Sequence, residues 1–226
     1  RGQGQIRYLA GIALPEIGVV TNVGLSHLEL LGSKEAIAQA KGELIAALPS
    51  DGIAVLNGTD PLVASMSKLF SGESVFYGTE PKGSSKAHLK TEVLDIWASD
   101  LRIVPGGQMV EVDGRWGRFS LFLPLYGRYN VDNLLAAVAN GLLLGLSPEE
   151  IAGAVASFTP VEKRLRIIET GGIRIIDDTY NSSPPAVIGA LEVLRELAPA
   201  GRKIAILGDM LELGVASNAA HHEIGE

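Results

Sequence analysis

Two apolar runs, 17–22 and 53–57, flank a stretch of helical periodicity that opens at Gly32-Ser33 and continues to about residue 48. Strand, helix, strand in that order implies that the two strands run parallel, because the helix carries the chain back to the edge from which it started. Parallel strands need both faces covered. The composition suits this, with 46% hydrophobic residues, only 5% aromatics, and an abundance of Ala, Gly, Ile, Leu and Val. Fold class α/β follows, and 226 residues suffice for one large core or two modest ones.

Further elements extend the pattern. Asp60-Pro61 starts a short helix, 74–77 reads as a strand, and 81–85 is polar and Gly-rich. From 88 to 123, short alternating runs are broken by Pro105-Gly106-Gly107 and Asp113-Gly114, the pattern of antiparallel hairpins inserted on the larger sheet. Helical spacing returns at 130–144, with Asn130 read as the N-cap. Ser147-Pro148-Glu149-Glu150 then combines capping-box spacing with proline at the first helical position. The pattern breaks at 158–166. A second α/β alternation follows, with a strand at 174–176, a helix at 185–197, a strand at 203–207 and a loop at 208–214. The expected architecture is a mostly parallel sheet flanked by helices with a small antiparallel insertion. Part of a second, Rossmann-like α/β domain should follow, with the division at 160/161.

Charge and composition exclude several functions. The formal net charge is −7 with no Lys/Arg block, which argues against a general nucleic-acid binder. Anionic ligands remain open, because helix N-termini and a few placed cations hold phosphates even in an acidic protein. Without cysteine there is no disulfide, thiolate metal site or thiol catalysis, in keeping with a cytoplasmic protein. The richest apolar run, 134–146, carries Asn140 and two glycines, so no membrane span is expected. Pro15 and Glu16 interrupt the first apolar run, which removes a signal-peptide pattern. The chain starts at Arg1 and stops within a helical pattern, as a piece of a longer protein would.

One lysine is out of place. Ile37, Leu44, Ile45 and Leu48 form a single apolar stripe, and at about 100° per residue Lys41 falls inside it. Burial disfavours the ammonium and lowers its pKa, leaving a nucleophilic amine. On spacing alone, a packed stem whose head reaches a cleft or a salt bridge fits equally well. His27 follows the first strand by a short Gly-containing loop, on the carboxyl edge where open parallel sheets bind ligands. A lone histidine is nonetheless more often structural. Asp177-Asp178 ends another strand, and its two carboxylates point in alternate directions. Asn130 and Asn133 share a helix face. Neither a G-x-x-x-x-G-K-S/T phosphate loop, nor a G-x-G-x-x-G fingerprint between strand and helix, nor a G-x-S-x-G elbow occurs.

In their order and spacing several runs resemble the Mur ligase family across essentially the whole chain. They are Thr21-Asn22-Val23-Gly24 with His27-Leu28-Glu29, Ala40-Lys41-Gly42-Glu43-Leu44, and Arg128-Tyr129-Asn130 with Asn133-Leu134-Leu135. Lys163-Arg164-Leu165, 177–184 and 207–214 continue the series, and the last two resemble the branch that adds D-alanyl-D-alanine. The resemblance implies ATP-dependent amide ligation of D-alanyl-D-alanine to UDP-N-acetylmuramoyl-tripeptide through an acyl phosphate, in peptidoglycan precursor synthesis, by a monomer that uses ATP and Mg²⁺. It implies residues 1–160 as a central ATPase domain lacking its N-terminal part, and 161–226 as a truncated C-terminal domain. The phosphate loop would lie upstream, so this chain alone is expected to be inactive. By the same resemblance His27 binds Mg²⁺, and Lys41 carries a CO₂-derived carbamate that helps hold a metal. Asn130 and Asn133 face adenine, Arg164 reaches phosphate, and Asp178 reaches ribose. Tyr129 stands where many relatives have histidine. The competing interpretation is a noncatalytic nucleotide-binding or regulatory protein that keeps this fold; a dehydrogenase-like domain is a distant third.

Overall fold

The computed structural model describes residues 2–24, 31–79, 94–197 and 201–226. Six strands form one sheet in sequential order: β1 (Ile17–Val20), β2 (Ile53–Asn57), β3 (Glu73–Thr79), β4 (Ile96–Val104), β5 (Gly107–Gly114) and β6 (Phe119–Leu123). β1 to β4 pair in parallel, with Ile17 opposite Ile53, Ile53 opposite Glu73 and Tyr77 opposite Ile96. β5 and β6 extend the same sheet in antiparallel sense, so the expected insertion is an added edge. Pro105-Gly106 joins β4 to β5, with Gly106 at φ +85°, as a turn with proline first and a left-handed glycine second requires.

Side chains alternate across the central strands. Ala54, Leu56 and Phe76 pack with α2 (Lys34–Ala46) and α3 (Pro61–Ala64) through Ile37, Ile45, Leu48 and Val63. Val55, Val75 and Tyr77 face the other way, onto α4 (Arg128–Leu143) and Ile151 of α5 (Pro148–Ala156). Burial on both faces is why these strands read as continuous apolar runs rather than alternating ones. α1 (Gln5–Ala13) lies against α2.

Side-chain caps mark three of the helix starts. Ser33 Oγ accepts from the Ala36 N–H at 3.1 Å, Asp60 accepts from the Leu62 and Val63 N–H groups, and Ser147 with Glu150 forms a complete capping box. Asn130 does not cap α4. That helix starts earlier, at Arg128, because Gly127 at φ +91° turns the chain into it. Asn130 lies in the first turn and donates from Nδ2 to the Tyr126 carbonyl at 2.7 Å.

Beyond Ala156 the expected strand at 174–176 is longer and paired. β7 (Arg166–Thr170) and β8 (Ile173–Asp177) form an antiparallel hairpin. Its two-residue turn, Gly171-Gly172, has φ values of +56° and +77°, the mirror-image turn that suits twisted strands. Helices α6 (Pro184–Leu197) and α7 (Ser217–Gly225) enclose a small core of Val187, Met210, Leu213 and Ala220. The strand expected at 203–207 is absent. A strand exists only in a ladder, and no described strand pairs with this run, which leaves Ile206 95% exposed. The Met210 N–H donates to His221 Nε2 at 3.0 Å, and the other ring nitrogen meets the Ser217 carbonyl at 2.8 Å. No helix among the described residues is long and apolar enough to cross a membrane.

Candidate functional site

The carboxyl ends of β1, β2 and β3 bring polar groups onto one edge. After β1, the Val23 N–H donates to Asp60 Oδ2 at 2.8 Å, and the Thr21 carbonyl accepts from Asn57 Nδ2 at 3.0 Å. Asn57 Oδ1 in turn accepts from the Thr59 N–H and hydroxyl. These bonds tie the post-strand loops of β1 and β2 together. Lys41 reaches this edge from α2, donating from Nζ to the Asn22 carbonyl at 2.6 Å. Its half-buried position lowers its pKa from the ordinary value, and the Asp60 carboxylate only partly opposes that. His27 and Glu29 lie outside the described residues.

A second polar group joins β3 to α4. The Thr79 hydroxyl donates to Asp132 Oδ1 at 2.5 Å, and Arg128 Nη2 donates to the Thr79 carbonyl at 3.4 Å. Burial pushes the Asp132 carboxyl up, against the bonds from Thr79 and the charge of Arg128. Between the two groups sits Tyr77, fully buried; its hydroxyl has no hydrogen-bond partner among the described residues. Burial and the nearby Asp132 and Asp60 carboxylates all disfavour its phenolate.

The third group forms where the two halves of the chain meet. Lys163 and Leu165 hold left-handed φ values of +60° and +51°, a conformation that costs a non-glycine residue about 1–3 kcal/mol. Between them, the Arg164 guanidinium stacks on the Tyr180 ring at 4.1 Å. Asp178 Oδ1 accepts from the Leu165 N–H at 3.1 Å, while Asp177 closes a local turn with Thr179. Burial raises the Asp178 pKa; the Leu165 bond and Arg164 oppose it. Tyr129 faces this group. Its hydroxyl is pushed up to about 12 by burial and by Asp178, with Asn130 and Arg164 acting the other way. Asn130, Tyr129, Arg164 and Asp178 therefore gather at one junction, and Asn133 stands exposed on the next turn of α4. Asp60, Thr79 and Asp132 were not singled out in the sequence; the only local signal was the Asp-Pro helix start.

The model of the Mur ligase middle domain matches residues 1–141. The chain belongs to the Mur ligase family. The model of the Mur ligase glutamate ligase domain matches residues 163–226. UDP-N-acetylmuramoyl-tripeptide–D-alanyl-D-alanine ligase of Bacillus subtilis is 35% identical over 224 residues, covering 99% of this chain and 46% of that protein. Among solved structures, MurF from Acinetobacter baumannii superposes with a TM-score of 0.86 at 29% identity, over 99% of this chain and 46% of the other. MurF ligase from Thermotoga maritima in complex with ADP gives a TM-score of 0.83 at 30% identity, covering 99% and 48%. The chain thus spans about half the length of the Mur ligases it matches.

Proposed function

We propose that this chain forms the central and C-terminal parts of an ATP-dependent amide ligase that joins D-alanyl-D-alanine to UDP-N-acetylmuramoyl-tripeptide in the cytoplasm. Residues 1–160 act as the ATPase unit and 161–226 as the beginning of the unit that closes over it. The observation that carries the proposal is the Lys41 amine, half-buried, bonded to the Asn22 carbonyl and depressed in pKa, in a chain that D-alanyl-D-alanine-ligase relatives match over nearly its whole length.

The reaction requires the γ-phosphate of ATP to pass to the substrate carboxylate, releasing ADP. The dipeptide amine then attacks the acyl phosphate and expels phosphate. Charge accumulates on the transferring oxygens, and Mg²⁺ supplies the countercharge when bound. Lys41 would help hold such an ion only once carbamylated. A neutral amine at Lys41 is the form that reacts with CO₂, and the resulting carbamate would offer hard oxygen ligands where an ammonium now meets Asn22. His27 is the second proposed metal ligand. Asn130 and Asn133 present amides to adenine, Arg164 its guanidinium to phosphate and Asp178 its carboxylate to ribose.

The test uses the complete ligase with Lys41→Arg and Lys41→Ala. Arginine keeps the positive charge but cannot form the carbamate. Both variants are expected to lose D-alanyl-D-alanine-dependent phosphate release while still folding. Full activity in Lys41→Arg overturns the role of the lysine.

A further inference from the structure

Helix α4 has no side-chain cap: Gly127 offers none, and the helix end needs some other support. That support comes from β3. Thr79, only 7% exposed, gives its hydroxyl proton to Asp132. Arg128 donates back to the Thr79 carbonyl. Arg128 and Asp132 are one helical turn apart and so share a face of α4. At about 100° per residue, Asn130 and Asn133 fall on the opposite face. The clamp therefore grips one side of the helix end; on the other side Asn133 is exposed and Asn130, half-buried, is held by the Tyr126 carbonyl.

We propose that Asp132 is a positioning residue which, with Arg128, locks the first turns of α4 onto Thr79 and so sets Asn130 and Asn133 for an adenine nucleotide. This rests on the nucleotide-dependent function proposed above. A charge-assisted bond of this kind transmits through geometry rather than through contact with the ligand. Its loss frees the asparagines to sample orientations that do not bind, which weakens affinity without altering the chemical step.

Thr79→Val removes the hydroxyl at nearly constant shape; Thr79→Ser restores it. In the complete ligase, Thr79→Val and Asp132→Ala are expected to weaken ADP binding about tenfold, equivalent to about 1.4 kcal/mol. KM for ATP should rise in parallel, with kcat at saturating ATP little changed and Thr79→Ser close to wild type. Amide exchange at 128–133 in this chain should quicken in the first two variants only. Unchanged ADP affinity in Thr79→Val and Asp132→Ala, beside a wild type that binds ADP, overturns the proposal even if melting temperatures fall. A wild-type ligase that binds no adenine nucleotide overturns the proposed function and this proposal together, and is recognised by failure of the wild type itself.

Discussion

Gly189 on α6 offers a test of how the two halves of the chain meet, because one added methyl should reverse its effect according to what faces it. In a helix interior, glycine is about 0.8–1.0 kcal/mol less favourable than alanine. Gly189→Ala should therefore stabilise α6 wherever there is room. Here a Cβ would sit 2.8 Å from both Cδ1 and Cε1 of the Tyr129 ring, well inside ordinary van der Waals contact. Overpacking of this kind costs about 1–3 kcal/mol. The net effect of Gly189→Ala is thus a loss of up to about 2 kcal/mol, propensity gain included. In a Tyr129→Ala background the obstacle is gone, and the same substitution should gain about 0.5–1 kcal/mol. Urea denaturation of the chain, its two single variants and the double variant gives the four corners of a cycle, with an expected coupling of about 1–3 kcal/mol. Equal effects of Gly189→Ala in the two backgrounds would refute the contact between α4 and α6.

Two further outcomes follow from buried polar groups. Glu43 of α2, 8% exposed, accepts from the Gly4 N–H at 2.6 Å and the Arg7 N–H at 3.1 Å, closing the N-terminus of α1. Burial alone would push this carboxyl up, but the N–H bonds outweigh it and hold the pKa below the ordinary 4.5. Its contribution is therefore full above the unfolded value and disappears as pH falls through the folded one. Glu43→Gln should cost about 1–2 kcal/mol at pH 7 and progressively less in acid; a cost independent of pH across this window would contradict the assignment. Tyr77→Phe removes a buried hydroxyl that has no partner among the described residues. Its thermal stability should stay within about 0.5 kcal/mol of wild type or rise; a loss beyond about 1.5 kcal/mol would show a bonded hydroxyl.

What was legible in the sequence depended on how local its cause was. The β1-α2-β2 unit, the helix start at Asp60-Pro61, the Ser147 capping box and the β4–β6 hairpins each follow from residues within a few positions of one another, and they occur where the sequence places them. Residues 203–207 failed because apolar character shows that a segment can pair without showing what it pairs with. Asn130 failed as a cap because Gly127, three residues earlier, could supply the turn that a cap otherwise marks. β7 was missed although Gly171-Gly172 between two Ile-rich runs is itself a hairpin signal. At the site, Lys41 was visible because it breaks a helical stripe. Thr79 and Asp132 lie 53 residues apart and break no pattern on their own elements, so only the fold joins them.

The density of the Ala40-Lys41-Gly42-Glu43 run has a geometric reason. Successive helix residues step about 100° around the axis, so four of them sweep nearly the whole circumference. Ala40 is buried at 5% exposure, Lys41 meets the Asn22 carbonyl, Gly42 faces Leu69 and Glu43 grips α1. At this one turn α2 meets three neighbours, the strand-end loop, the turn after α3, and α1. An ordinary amphipathic helix turns one face to water, where substitutions are nearly free. Here Glu35, Gln39 and Ala46 keep a narrow exposed strip, while each of the four residues 40–43 is committed to a different neighbour. A Cβ on Gly42 would lie 2.8 Å from Leu69 Cδ1; that methyl end can yield, but only by shifting the same turn of helix that carries the Lys41 amine. Precision at Lys41 is thus a property of the whole turn. Substitutions at Gly42 or Glu43 should therefore displace the amine from Asn22 before they unfold the helix.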